Sequence, residues 1–226
     1  YGYDWWWRYS ANYGMADNTY ESFLPYFALY KFIKSANDVI AVVDVTDPTI
    51  SDEMRGYGSM AHAFRALDYY TLMVLFEPVE NIYTDCSKIL GLTVPIVTEA
   101  TTNDMAKNNP RATREEMMAF ILSDLDKAEI GLADYTPTSK TFPDLSVVYG
   151  LKAKVYMWNG EYAKAAEYAR KAIDASGATP MTAAQWNNSI TGFNTATSSW
   201  MWYLHPTASN MGNLANFIGH ISNEAG

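Results

Sequence analysis

Residues 148–176, VYGLKAKVYMWNGEYAKAAEYARKAIDAS, decide the reading of this chain. Tyr149, Ala153 and Tyr156 recur at helical spacing, with Leu151, Val155 and Trp158 on an adjoining face. Asn159-Gly160 interrupts the period, and glycine reaches the left-handed backbone angles that end a helix. Beyond it Ala165, Ala169, Ala172 and Ile173 make a narrow stripe along a second helix. Small side chains there allow two helices to approach closely. Glu167 and Lys171 stand four apart on the opposite face, a favourable exposed pair. The stretch therefore predicts a helix, a tight turn and an antiparallel partner helix.

The spacing fits a tetratricopeptide unit, a helix-turn-helix of about 34 residues with the frame W-x2-L-G-x2-Y…A-x3-F. Tyr149 takes the Trp position, Ala153 the Gly position, Tyr156 the Tyr position and Ala165 the Ala position, while Lys152 and Ala169 depart from the frame. The frame is silent on ligand. A plain antiparallel helix pair in a core is the simpler alternative.

Working outward, Thr113-Arg114-Glu115-Glu116 is a capping box that starts a helix to about Leu132, with Met117, Phe120, Ile121, Asp124, Leu125 and Ala128 in register. Asp124 falls on or beside the apolar stripe and needs a partner; Arg65 is the mate the sequence offers. A helix over 51–76 carries close-packing Gly58, Ala61 and Ala66, then the bulk of Tyr69, Tyr70, Leu72, Met73 and Leu75. His62 and Arg65 lie three apart on it, and a structural role for His62 is the simpler reading. An earlier helix over about 20–43 places Phe23, Phe27, Tyr30, Ile33, Asn37 and Ile40 on one stripe. Asn37 is its polar member and must find a bond, because a buried unpaired amide costs roughly 1–3 kcal/mol.

Residues 77–112, with Pro78, Gly91, Pro95 and Pro110, form a long connection, and Leu92–Val97 is a candidate short strand. Connections of that length are commonly functional or mobile. Residues 133–145 are a Pro/Ser/Thr-rich link. After Ser176 the helical period fades, and 176–226 reads as irregular apart from Ser199–Leu204, SWMWYL, a candidate strand with Trp200 and Trp202 on one side. These rings, with Tyr203, are expected to pack in the core.

The chain has 226 residues, with 49% apolar and 15% aromatic residues and seven tryptophans, enough for a core with aromatic side chains to spare. A net charge of -9 argues against a nucleic-acid partner, which requires a basic face. One cysteine, Cys86, excludes an intramolecular disulfide framework. No run approaches the roughly 20 apolar residues of a membrane span. No H-E-x-x-H, G-x-S-x-G, phosphate-binding loop or EF-hand spacing occurs, so neither a metal nor a cofactor is expected. His62, His205 and His220 are scattered without a nucleophile nearby, and catalysis is not expected.

Residues 1–19, YGYDWWWRYSANYGMADNT, read as an irregular aromatic segment. Three successive tryptophans point three ways, so one face cannot bury them all. Either the rings form a stacking platform for the C–H faces of sugars, or they plug the end of a helical core. On the first reading Trp5, Trp6, Trp7 and Tyr9 stack, while Asp4, Arg8 and Asn12 bond hydroxyls.

In order and spacing, LYKFIKSANDVI, MAHAFRALDYYTLMVLF, LGLTVPIV, PRATREEMMAFILSDLDKAEIGL and LKAKVYMWNGEYAKAAEYARKAI resemble segments of the SusD/RagB family of outer-membrane nutrient-binding lipoproteins, across roughly Phe23–Ala175. That resemblance implies a mainly all-α stack of tetratricopeptide-like helix pairs with long loops and a few short strands. Residues 51–76 would pair with 114–132 across the inserted 77–112 loop, and 147–175 would form the next pair. The 226 residues would be one SusD-like domain, cut from a longer chain. The resemblance also implies a non-catalytic glycan-binding protein on the cell surface. It would deliver nutrient to a SusC-like TonB-dependent transporter, held to the outer membrane by a lipid anchor absent from this chain. The Phe76-Glu77-Pro78 stretch departs from the family's commoner continuation. Two other readings remain: a peptide-binding member of the same family, and a tetratricopeptide scaffold for protein partners.

Overall fold

The computed structural model describes residues 20–192 and 196–204. Seven helices follow one another in that range: α1 (Tyr20–Ile40), α2 (Asp52–Phe76), α3 (Asn103–Lys107), α4 (Arg114–Leu132), α5 (Leu145–Trp158), α6 (Tyr162–Ser176) and α7 (Ala183–Trp186). The fold is all-α among the described residues; the two candidate strands are absent. Leu92 makes only a single antiparallel bridge to Thr113, and 199–204 runs as irregular chain.

Helix starts follow the local chemistry. The Ser51 hydroxyl caps α2, the Asp144 carboxylate caps α5, and Thr113 and Glu116 complete a reciprocal capping box at α4. Gly160 sits at φ +76° in the α5–α6 turn, as the Asn-Gly break predicts, and Gly177 closes α6 at φ +60°.

α2 lies antiparallel to α4. At one end Ser59 bonds the Lys127 carbonyl; at the other Arg114 pairs with Glu77 at 2.5 Å. α1 packs on α2, and α5 packs on both α4 and α6. The core is the seam between these helices: Tyr69, Leu72 and Met73 from α2, Met117, Ile121, Leu125 and Ala128 from α4, and Val148 and Val155 from α5. Lys152, which breaks the repeat frame, is buried; its ammonium reaches Asp126 at 2.7 Å and also Glu129. The α5–α6 hairpin closes on Ala165 and Ala172, and Tyr168 stacks on Tyr156 at 5.4 Å. Ile173, expected on the buried stripe, is 46% exposed.

The expected apolar stripe of α1 holds at Tyr30, Ile33 and Asn37 and fails at its start. Phe23 and Phe27 are exposed and stack on each other, while Tyr26, Leu29, Tyr30 and Ile33 face the core. The helix ends at Ile40, three residues short of the expected end.

The second part of the 77–112 connection is tied down, whereas Val79, Ile82 and Tyr83 in its first part stand exposed. Arg111 donates to the carbonyls of Phe76, Leu92 and Thr93, Asn109 to that of Ile96, and Tyr30 to that of Pro95. Tyr69 both donates to the Val97 carbonyl and accepts from its amide. No helix among the described residues is long and apolar enough to cross a membrane.

Candidate functional site

Two constellations attract attention as sites, and the first is architectural. Arg65 and Asp124, each 1% exposed, meet between α2 and α4. The Arg65 Nε and Nη2 donate to the two Asp124 carboxylate oxygens, both at 2.7 Å. The His62 Nδ1 lies 2.8 Å from Asp124 Oδ1; facing a carboxylate, that nitrogen carries the proton. The Arg65 Nη1 continues to Asn37 Oδ1 at 2.7 Å and to Glu99 Oε2 at 2.6 Å, and the Asn37 amide donates to the Val97 carbonyl. Thus α1, α2, α4 and the inserted loop share one guanidinium. Burial pushes the Asp124 carboxyl up, but the hydrogen bonds and charges of Arg65 and His62 outweigh this and hold it below the usual range. The buried Arg65–Asp124 pair is met by internal bonds and holds helices together; only the His62 and Glu99 edge of the cluster reaches a small cavity of about 160 Å³, beside Asp44 and Lys127.

The second constellation is open. Trp186, Trp200, Trp202 and Tyr203 surround a pocket of about 610 Å³, with Pro180, Met181, Ser199 and Leu204 completing its wall. Its position follows from how 199–204 is pinned to the link before α5. The Tyr203 amide donates to the Lys140 carbonyl, Lys140 Nζ to the Trp200 carbonyl, and the Trp202 indole to the Thr141 carbonyl. Trp202 also leans on Phe64 at 6.0 Å, so one of its sides seals the core and the other faces the pocket. Trp200 and Tyr203 stand edge-to-face at 5.8 Å. Trp186 ends α7, a single turn set by the Thr182 and Gln185 capping box, and is 56% exposed. A pocket walled by indole and phenol rings with few polar groups suits a ligand that offers flat C–H faces.

The expectation that Trp200, Trp202 and Tyr203 pack in the core holds for Trp202, which leans on it, and is corrected for Trp200 and Tyr203; all three are half-buried and line the pocket. Trp186 is an addition that sequence reasoning missed. Its signal was present as Thr182-x-x-Gln185, a capping box that starts the single helical turn ending at Trp186. Trp5, Trp6, Trp7, Tyr9, Asp4, Arg8 and Asn12 lie outside the described residues. No group of three or more His, Cys, Asp or Glu side chains suited to a metal occurs among the described residues.

Comparison with known proteins gives the lineage. A SusD-like family model described as "Starch-binding associating with outer membrane" matches residues 1–157. The chain belongs to the SusD-like family. Among solved structures, a SusD-like carbohydrate binding protein from Bacteroides vulgatus superposes with a TM-score of 0.61 at 21% identity, covering 79% of this chain and 36% of that one. A SusD superfamily protein from Bacteroides thetaiotaomicron gives 0.59 at 26% identity, covering 73% and 35%. A laminarin binding SusD-like protein gives 0.54 at 21% identity, covering 70% and 31%. This SusD-like chain therefore spans about a third of the length of the solved relatives it matches. No curated protein matches it. The helical architecture expected from the sequence is shared with these relatives. The pocket around Trp200 lies beyond the segment that the family model matches.

Proposed function

We propose that this SusD-like chain is the helical part of a non-catalytic glycan-binding protein of the outer membrane. The observation that supports this most is the aromatic pocket of Trp186, Trp200, Trp202 and Tyr203 on a chain whose family is described as starch-binding. Indole faces match the apolar faces of sugar rings, and desolvating them against C–H groups needs no charged partner. The aromatic segment Trp5, Trp6, Trp7 and Tyr9 supplies a second set of stacking rings, with Asp4, Arg8 and Asn12 as hydroxyl partners. The captured glycan passes to a SusC-like TonB-dependent transporter, with the protein held at the cell surface by a lipid anchor. The 226 residues act as one SusD-like unit.

Titration of the full-length protein with soluble starch and a panel of other polysaccharides tests the reading. Trp200→Ala is expected to weaken binding by about 2- to 10-fold, the worth of one aromatic contact of roughly 0.5–1.5 kcal/mol. Trp6→Ala reports in the same way on the N-terminal segment. Absence of binding to every glycan in the panel would overturn the assignment. Full binding in Trp200→Ala with loss in Trp6→Ala would move the contact surface to residues 4–12.

A further inference from the structure

The cavity of about 160 Å³ beside the Arg65 cluster draws its polar lining from four segments. Asp44 and Thr46 come from the loop between α1 and α2, His62 from α2, Glu99 from the inserted connection and Lys127 from α4. The volume is that of roughly five waters at about 30 Å³ each. The His62 side chain is 3% exposed, and its Nδ1 is spent on Asp124. Its Nε2 has no hydrogen-bond partner among the described residues, and none of their side-chain nitrogens or oxygens that are sealed from open space lacks one. Nε2 therefore opens into the cavity that His62 lines. With the proton on Nδ1, this nitrogen is an acceptor in the neutral ring. A buried acceptor without a donor is a costly arrangement, and an occupant that brings a donor relieves it.

The charges around the cavity limit what sits there. Asp44 Oδ1 already accepts from the Thr46 amide at 2.9 Å and hydroxyl at 2.7 Å, and Glu99 Oε2 accepts from Arg65 at 2.6 Å; each carboxylate keeps a second oxygen. The Thr46 bonds hold the Asp44 carboxyl below its usual range, and Lys127 adds to them. At Glu99 burial opposes ionisation, and Arg65 with Lys127 outweighs it. Lys127 is half-buried, and its ammonium makes no hydrogen bond or ion pair among the described residues. An anion would meet both carboxylates. A metal ion would meet the ammonium, and no metal-holding group of side chains occurs among the described residues. A neutral molecule with adjacent hydroxyls meets neither obstacle. One hydroxyl donates to Nε2 or a carboxylate oxygen while its neighbour accepts from Lys127.

We propose that this cavity binds one small neutral polyol, whose hydroxyls donate to His62 Nε2 and Glu99 and accept from the Lys127 ammonium. The site is separate from the ring-lined pocket, with which it shares no lining residue. It takes hydroxyl edges through polar side chains, whereas Trp186, Trp200 and Tyr203 offer flat faces.

Glycerol and D-glucose, titrated into the full-length protein labelled with nitrogen-15 in its histidine rings, test the proposal by nuclear magnetic resonance. The His62 signals are assigned by their loss in His62→Gln. A saturable movement of the His62 Nε2 signal is expected with at least one of the two polyols. Lys127→Met should weaken this binding by about 10-fold or more, the worth of one hydrogen bond to a charged group. Lys127→Gln, which keeps a donor, should weaken it less. Neither change strands a partner, so both variants are expected to keep the parent helix content, which circular dichroism checks. No saturable movement with either polyol would overturn the proposal and leave the cavity to water. Binding that Lys127→Met leaves unchanged would also overturn it. So would saturation by phosphate or calcium in place of the polyols, because the charge argument would then be wrong. The signal is read at His62, so every outcome is independent of starch binding at the ring-lined pocket.

Discussion

Arg65→Met should destabilise the protein by about 3–5 kcal/mol, the usual cost of breaking a buried ion pair by removing one partner. The loss is large because the guanidinium serves three acceptors at once. Without it Asp124 keeps only the His62 bond, Asn37 loses the donor to its Oδ1, and Glu99 loses its ion pair. Chemical denaturation of the variant against the parent measures the effect. The double variant Arg65→Met, Asp124→Leu separates two explanations. If the cost lies in a stranded carboxylate, removing that carboxylate restores much of the stability, since apolar replacement of a whole buried pair is often neutral. If the double variant is as unstable as the single, the cost lies in lost packing around the Arg65 stem, and the charge argument fails.

The same cluster sets an acid limit. Burial raises the Asp124 carboxyl, but the bonds and charges from Arg65 and His62 depress it further, so its folded pKa lies below its unfolded value near 3.9. A depressed carboxylate contributes stability that is present above the unfolded pKa and lost as pH falls through the folded one. Glu99 is depressed as well: burial opposes its ionisation, and the Arg65 bond outweighs this. Stability should therefore fall with decreasing pH below about 4. That part of the slope should be smaller in Arg65→Met, because the variant loses the Arg65 bonds and charge that help depress both groups and leaves Asp124 only its His62 contact. Denaturation midpoints of the two proteins between neutral pH and pH 3 check it. A slope unchanged by the substitution would assign acid sensitivity to other carboxylates.

The helices were legible because their punctuation is local. The Thr113 and Glu116 box, the Asn159-Gly160 turn and the long apolar periods each act within one or two turns of chain. The Asp124–Arg65 pairing was legible too, since a carboxylate on an apolar stripe demands a cation and α2 offers one on its own inner face. Three features depended on neighbours the sequence does not show. Phe23 and Phe27 fit the α1 stripe as well as Tyr26 and Leu29 do; the partner α2 decides which face is covered. Lys152 broke the repeat frame, and only Asp126 and Glu129 of α4 make its burial tolerable. Residues 199–204 alternate like a strand, yet a strand needs an edge to pair with. Among the described residues the nearest backbone is the Lys140–Thr141 link, which supplies isolated bonds and no ladder. That same pinning holds Trp200 and Tyr203 half-buried around a pocket instead of inside a core. The N-terminal rings of residues 5–9 lie outside the described residues, so their part in binding rests on sequence and on the proposed titrations.

Gly131→Val should cost about 1–3 kcal/mol, the usual range for forcing extra methyl groups into a packed contact. Gly131 stands in the last turn of α4 where that helix comes closest to α2. A Cβ there would lie 2.2 Å from the Ser59 Oγ and 2.7 Å from the Arg55 carbonyl oxygen. The serine can rotate, at the expense of its bond to the Lys127 carbonyl, but the carbonyl belongs to the backbone of the facing helix and cannot. Relief therefore requires the two helices to separate or α4 to unwind at its end. Gly56 on α2 meets a different constraint, its Cβ position falling 2.3 Å from the ring of Tyr135 in the link that follows α4. Gly150 provides the contrast. It lies inside α5 with nothing within 4 Å of a Cβ, so Gly150→Ala should stabilise by about 0.5–1 kcal/mol through helix propensity alone. Opposite signs for the two substitutions, measured by denaturation of the same protein, would show that the crossing of α2 and α4 is set by absent side chains. A neutral Gly131→Val would mean that the end of α4 gives way easily, and that the Arg65 cluster alone fixes the crossing.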